Sequence, residues 1–223
     1  MRRNQLKLTK NYSQGLSLLA GYNYHHEKDQ TYYDDIANYN RTYSWQNPGG
    51  RNSFRHRLTV AAAWDLPFGK GRAVMPNASG FVNAIVGGWR FSPVVAWNSG
   101  NLMRFGGMLW DGTDPKISSP TPQQWFNTAP FERLPDYTPR TNPWDFSGLR
   151  GPQFFNIDGS LLKQVNITES MAVKFEVAAF NLLNYLNWDD PSTSVTDSNF
   201  GSITDKRYLT YGRRLQLGVR FEF

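Results

Sequence analysis

Cysteine is absent from the 223 residues, which excludes a disulfide framework and any thiolate metal site. Long hydrophobic runs are absent too. The nearest candidate, Leu58 to Trp64, is interrupted by Thr and Ala and stops at Asp65, far short of the ~20 residues that a membrane-spanning helix needs. No block of like charge occurs: the net charge of +6 is spread along the chain. With neither a basic stripe nor a recognisable module, no nucleic-acid partner is expected. Near the N-terminus, Asn4, Gln5, Lys7, Lys10, Asn11 and Gln14 interrupt any apolar stretch of the kind that marks an export signal. What the chain does hold is aromatics, 15% of it, within an overall hydropathy that is negative.

The most informative stretch is the last one, Gln216-Leu217-Gly218-Val219-Arg220-Phe221-Glu222-Phe223. Successive side chains of a strand point to opposite faces. Tyr211, Leu215, Leu217, Val219, Phe221 and Phe223 therefore share one face, and Gly212, Arg214, Gln216, Gly218, Arg220 and Glu222 the other. The register of Gln216, Gly218, Phe221 and Phe223 resembles the C-terminal assembly signal of Gram-negative outer-membrane barrels, and implies the barrel-assembly machinery as a partner.

Six further segments alternate in the same way. They cover about Gln5–Tyr12 (Leu6, Leu8 and Tyr12 on the apolar face), Leu16–His26, Phe54–Leu66, Trp89–Asn98, Phe155–Ile167 and Met171–Ala179. Pro93 removes a ladder donor within the fourth, and a bulge is expected there. A brief helical turn is expected over Phe81–Val86. Short turns (13–15, 168–170) alternate with long loops (27–53, about 99–153, 184–207), the asymmetry of periplasmic turns and external loops. The last strand then runs inward. Trp64, Trp89, Phe91, Phe221 and Phe223 form a low aromatic belt, and Tyr22, Tyr24 and Trp97 a high one. The fold expected is all-β: an antiparallel meander of about seven transmembrane strands in contact with outer-membrane lipid. An open sheet in lipid leaves unpaired backbone groups costing several kcal/mol each. Residues 1–223 are therefore expected to be part of a longer barrel protein. The alternatives are a soluble β-sandwich binding module and a smaller closed-barrel adhesin or enzyme.

Several motifs narrow this further. Arg55-His56-Arg57-Leu58 leads to Trp64-Asp65-Leu66-Pro67-Phe68-Gly69-Lys70-Gly71, and Gly87-Gly88-Trp89 to Ser99-Gly100. Leu149-Arg150-Gly151-Pro152 leads into Asn156-Ile157-Asp158, followed by Phe180-Asn181-Leu182-Leu183-Asn184 and Phe200-Gly201-Ser202-Ile203-Thr204. In this order they resemble the Oar-like TonB-dependent receptors, which have a carboxypeptidase-regulatory-like N-terminal domain. The resemblance implies the C-terminal part of an outer-membrane β-barrel of about 22 strands, the size of plugged transporters. It also implies ligand uptake at the outer membrane, with the remaining strands, a plug and TonB as partners through the parent protein.

Candidate chemistry is sparse. His25, His26, Glu27 and Asp29 invite a metal, but neighbouring strand positions face opposite ways. Asp111-Gly112-Thr113-Asp114 and Asp189-Asp190 have too few ligands for calcium and read as loop turns. No nucleophile–base–orienter set stands out, so no enzyme activity, cofactor or metal is expected. Arg55, Arg57, Arg90, Arg214 and Arg220 are expected to face the lumen. There they line an anion-attracting path or pair with Asp65, Asp158, Glu176 and Glu222. The long loop offers Trp110, Trp125, Phe126 and Trp144 as ligand contacts, or as packing for the loop itself.

Overall fold

The computed structural model describes residues 2–26 and 54–223. The chain forms β1 (Arg2–Ser13), β2 (Leu16–His26), β3 (His56–Asp65), α1 (Gly80–Val86), β4 (Trp89–Asn98), β5 (Leu109–Trp110), β6 (Phe131–Glu132), β7 (Phe154–Asn166), β8 (Ala172–Phe180) and β9 (Arg214–Glu222). Seven strands make one antiparallel sheet in the order β1-β2-β3-β4-β7-β8-β9, and β5 pairs with β6. The segments expected from alternation are these seven strands, with ends shifted by a few residues. The expected helical turn is α1. The expected loop at 27–53, with Glu27 and Asp29, lies outside the described residues.

Register makes the sheet two-faced. Across the apolar face run the rows Leu6–Tyr22–Leu58–Trp97–Phe155 and Leu8–Ala20–Val60–Val95–Ile157. Nearer the other end runs Trp64–Phe91–Leu161–Val177–Leu217. The opposite face carries Asn23–Arg57–Asn98 and Asp65–Arg90–Leu162–Glu176–Gly218. β-Branched and aromatic side chains suit such a pleated surface, and the tight Gln14-Gly15 turn (φ 52° and 78°) has the positive angles that match strand twist.

Three local expectations are corrected. Tyr12 does not join Leu6 and Leu8: the register of β1 against β2 shifts between Lys10 and Ser13. A bulge turns every later side chain over, and the Tyr12 hydroxyl reaches Asp65 on the polar face. Pro93 causes no bulge. The β3–β4 ladder resumes in the same register, from Ala61↔Val94 to Trp64↔Phe91, after a gap opposite the residue that has no N–H. Tyr211 lies before the last strand, which begins at Arg214.

Apart from Val173 and Ala179 of β8, the buried core is not in the sheet. It lies in the long connection after β4, where Met103, Phe105, Met108, Phe126, Phe131, Phe146 and Leu149 pack together, joined by Val195 and Phe200 from the connection between β8 and β9. The sheet is open, and most of β9 is exposed on both faces.

Candidate functional site

The polar face and the loops above it are where chemistry can occur. Arg57, Arg90, Arg214 and Arg220 lie on the polar face by register. Arg55 precedes β3; its backbone N–H and that of His56 donate to Ser99 Oγ at 3.0 and 3.1 Å. These arginines are not brought together. Arg90 pairs with Asp65 at 2.5 Å, next to Tyr12. Arg214 lies over the Tyr211 ring, 4.5 Å from its centroid. Glu222 pairs instead with Lys174, its diagonal neighbour on β8, at 2.6 Å. One arginine of the five thus makes an expected carboxylate pair.

Above the sheet, two connections build one unit. Trp125 N–H donates to Gly201 O (2.8 Å) and Ile203 N–H to Pro122 O (2.7 Å), tying the loop after β4 to the loop after β8. Asn101 Nδ2 reaches Asp190 at 2.8 Å. A Cβ on Gly151 would collide with Asp190, and one on Gly100 with the Gly151 carbonyl. Asn187 exchanges hydrogen bonds with the Phe155 backbone (2.8 and 3.0 Å), which fixes the unit to β7. Asp111 and Asp114 cap turns through the N–H groups of Thr113 (2.8 Å) and Lys116 (3.1 Å). The Lys116 N–H, then its ammonium, hold the Asp114 carboxyl below its usual range. That turn is therefore kept at neutral pH and released as pH falls through the lowered value.

The four expected ligand contacts are mostly loop structure. Phe126 is 0% exposed and belongs to the core. Its ring meets Phe105 edge-on at 5.3 Å, because edge-to-face packing suits the ring quadrupole. Trp110 packs on the same core and donates to Thr113 O at 2.7 Å. Trp125 donates to Arg150 O at 2.7 Å. Trp144 lies between the guanidinium groups of Arg104 and Arg140, at 4.7 and 3.6 Å. Contrary to its expected role as a ligand contact, Phe126 is closed off from the surface.

At the loop end of the polar face lies a cleft of about 360 Å³, whose lining includes Phe154, Asn156, Asp158, Phe180, Tyr208 and Arg214. Asp158 Oδ1 accepts from Asn156 Nδ2 (2.9 Å) and from the Asn181 N–H (2.8 Å). Asn181 Nδ2 closes the site by donating to the carbonyls of Tyr185 (3.0 Å) and Tyr211 (2.9 Å). Aromatic walls with an acid, an amide and a guanidinium suit a polar ligand that offers both donors and acceptors.

The model of the outer membrane beta barrel domain family matches residues 4–216. The chain belongs to that family. No curated protein and no solved structure matches it. In an outer membrane beta barrel domain, strands alternate apolar-out and polar-in. The apolar Leu8–Ala20–Val60–Val95–Ile157 row and the polar face with the cleft beside Asp158 have this alternation. The residues resembling an assembly signal are divided between the two faces of β9 and its end. Gln216 and Gly218 lie on the polar face opposite Ala178 and Glu176, Phe221 lies on the apolar face opposite Val173, and Phe223 is 98% exposed.

Alternation alone misses several residues that organise the barrel domain. Asn142 is 0% exposed; it accepts from Met108 N–H and donates to the carbonyls of Gly106 and Pro143, each at 3.0 Å. Asn181 and Asn184 take positive φ (51° and 52°), which Asn tolerates. Both lie in the Phe-Asn-Leu-Leu-Asn stretch, a usable signal. Lys163 falls on the apolar face, opposite Trp89 and Phe175. Its ammonium escapes lipid by reaching the carbonyls of Ile85 (3.2 Å) and Gly87 after α1, 5.2 Å from the Trp89 ring. We predict that Lys163→Met frees this turn and costs about 1.5–3 kcal/mol, the worth of hydrogen bonds to a charged donor. Protease cleavage within residues 66–88 measures it; unchanged cleavage refutes it.

Proposed function

We propose that this domain is part of the wall of an outer-membrane TonB-dependent receptor of the Oar-like kind, which takes up a ligand from outside the cell and is not itself an enzyme. The observation that carries the reading is a two-faced sheet with an interlocked loop unit at one end. The motifs from Arg55 to Gly71 and from Phe180 to Asn184 add to it. The cleft beside Asp158 and Arg214 serves as the vestibule that meets the ligand as it enters the lumen.

Strand direction bears on closure. With seven antiparallel strands, β1 and β9 run the same way. Joining β9 of one upright copy to β1 of another would make a parallel pair. Antiparallel closure calls for an odd number of further strands, which favours a larger barrel over a ring of copies.

The test is uptake in the source bacterium. Cells lacking the gene, and wild-type cells treated with a protonophore, should leave the same solute in the medium, as resolved by mass spectrometry of spent medium. Identical depletion in all three cultures refutes energised uptake. Recovery of the chain in the soluble fraction would favour a sandwich module instead.

A further inference from the structure

We propose that α1 and the turn around it are an interfacial foot, which inserts Phe81 and Ile85 into the phospholipid leaflet at the inner end of the barrel. The proposal rests on the reading that the apolar face of the sheet meets lipid. It goes beyond that reading because α1 is no part of the sheet.

Phe81 is 79% exposed and Ile85 56%. Four residues apart on a helix, they share one face. Asn83 lies on the opposite side and is turned in: its Oδ1 accepts from the Lys70 N–H at 2.7 Å. A Cβ at Gly69 or Gly87 would come within 2.5 and 2.6 Å of the same oxygen. The helix therefore cannot roll to hide its apolar residues without giving up this cradle.

Its position is fixed by the sheet. Trp89 Nε1 donates to Ile85 O at 2.9 Å, and Lys163 reaches the same carbonyl. Gln164 N–H donates to Gly88 O at 2.8 Å. Trp89 and Lys163 are register partners on the apolar face, so the helix end is clamped against the wall that meets lipid. The exposed pair continues that wall past the ends of the strands. Val74 and Met75, 41% and 48% exposed, add apolar surface in the same turn. Lys70 and Arg72 accompany them, both exposed. Apolar residues beside basic ones suit the boundary between acyl chains and anionic headgroups.

Cysteine is absent from these 223 residues, so each variant introduces a single thiol into them. Phe81→Cys and Ile85→Cys are labelled with bimane in the full chain, purified from outer membranes and reconstituted in phosphatidylethanolamine–phosphatidylglycerol vesicles. Val60→Cys marks the wall and Glu169→Cys the inner turn. Lipid-borne nitroxide should quench positions 81, 85 and 60, with a blue-shifted emission, whereas iodide should quench only 169. If 81 and 85 follow 169 while 60 follows lipid, the foot is refuted and the barrel reading stands. If 60 also follows iodide, the barrel reading fails as well. Protection of 81 and 85 from both quenchers would mean a protein covers them, which overturns the lipid assignment.

Discussion

Arginine in place of Val60 should destabilise the assembled barrel by about 2–4 kcal/mol, the cost of a cation near the bilayer midplane on a lipid-facing strand. The same change at Thr59 should cost little. The contrast follows from register alone. Val60 lies in the row Leu8–Ala20–Val60–Val95–Ile157, with at least four residues of β3 on either side. An arginine there cannot easily snorkel to either headgroup region. Thr59 lies between Gly21 and Ala96 on the other face, in the row that ends at Asn156, where a guanidinium stays hydrated. Urea titration in outer membranes, read by protease resistance, gives both values. Equal losses at 59 and 60 would show that the two faces do not meet different solvents, and the membrane reading would fall with them.

Truncating Phe126 to alanine should cost the loop unit about 3–5 kcal/mol, as for a fully buried ring that leaves a cavity. Its ring touches Phe105, Phe131 and Phe200 at centroid distances of 5.3, 6.2 and 5.4 Å, so the loss is shared between two connections. The sheet is held by its own ladder and should remain. The expected result is new cleavage between residues 101 and 150 together with residues 190–205, without release of the strands. Cleavage confined to one connection would refute their joint packing. Resistance everywhere would mean that the core contributes little.

Period-two alternation carries a great deal here. Leu16 to His26, for example, alternates except at Leu19 and His26 and forms β2 with those ends. It fails at Tyr12, because the bulge before Ser13 has no marker such as Gly or Pro within the strand. It fails again at Lys163, where a cation on the apolar face is satisfied by carbonyls about 76 residues away. The candidate site was less legible. Trp110, Trp125 and Trp144 read equally as ligand contacts or packing until their partners were placed. Arg104 and Arg140 are the partners of Trp144, the Arg150 carbonyl that of Trp125, and Thr113 and Phe146 those of Trp110, and a loop with eight of the thirteen prolines gives no periodicity from which to read them. Burial, then the nearby Arg55 charge, even draws the Arg150 guanidinium below its ordinary pKa.

The interlocking of the two connections also sets where foreign sequence can be spliced. A tag inserted beside Thr128 would wedge against Gly201, whose open backbone already leaves no room for a methyl group. Tyr137 is different: it is fully exposed, at 105%, with φ 60°, at the tip of a turn where Thr138 N–H donates to Pro135 O. In the proposed orientation that tip faces outward, so an epitope spliced there should be readable by antibody on intact cells.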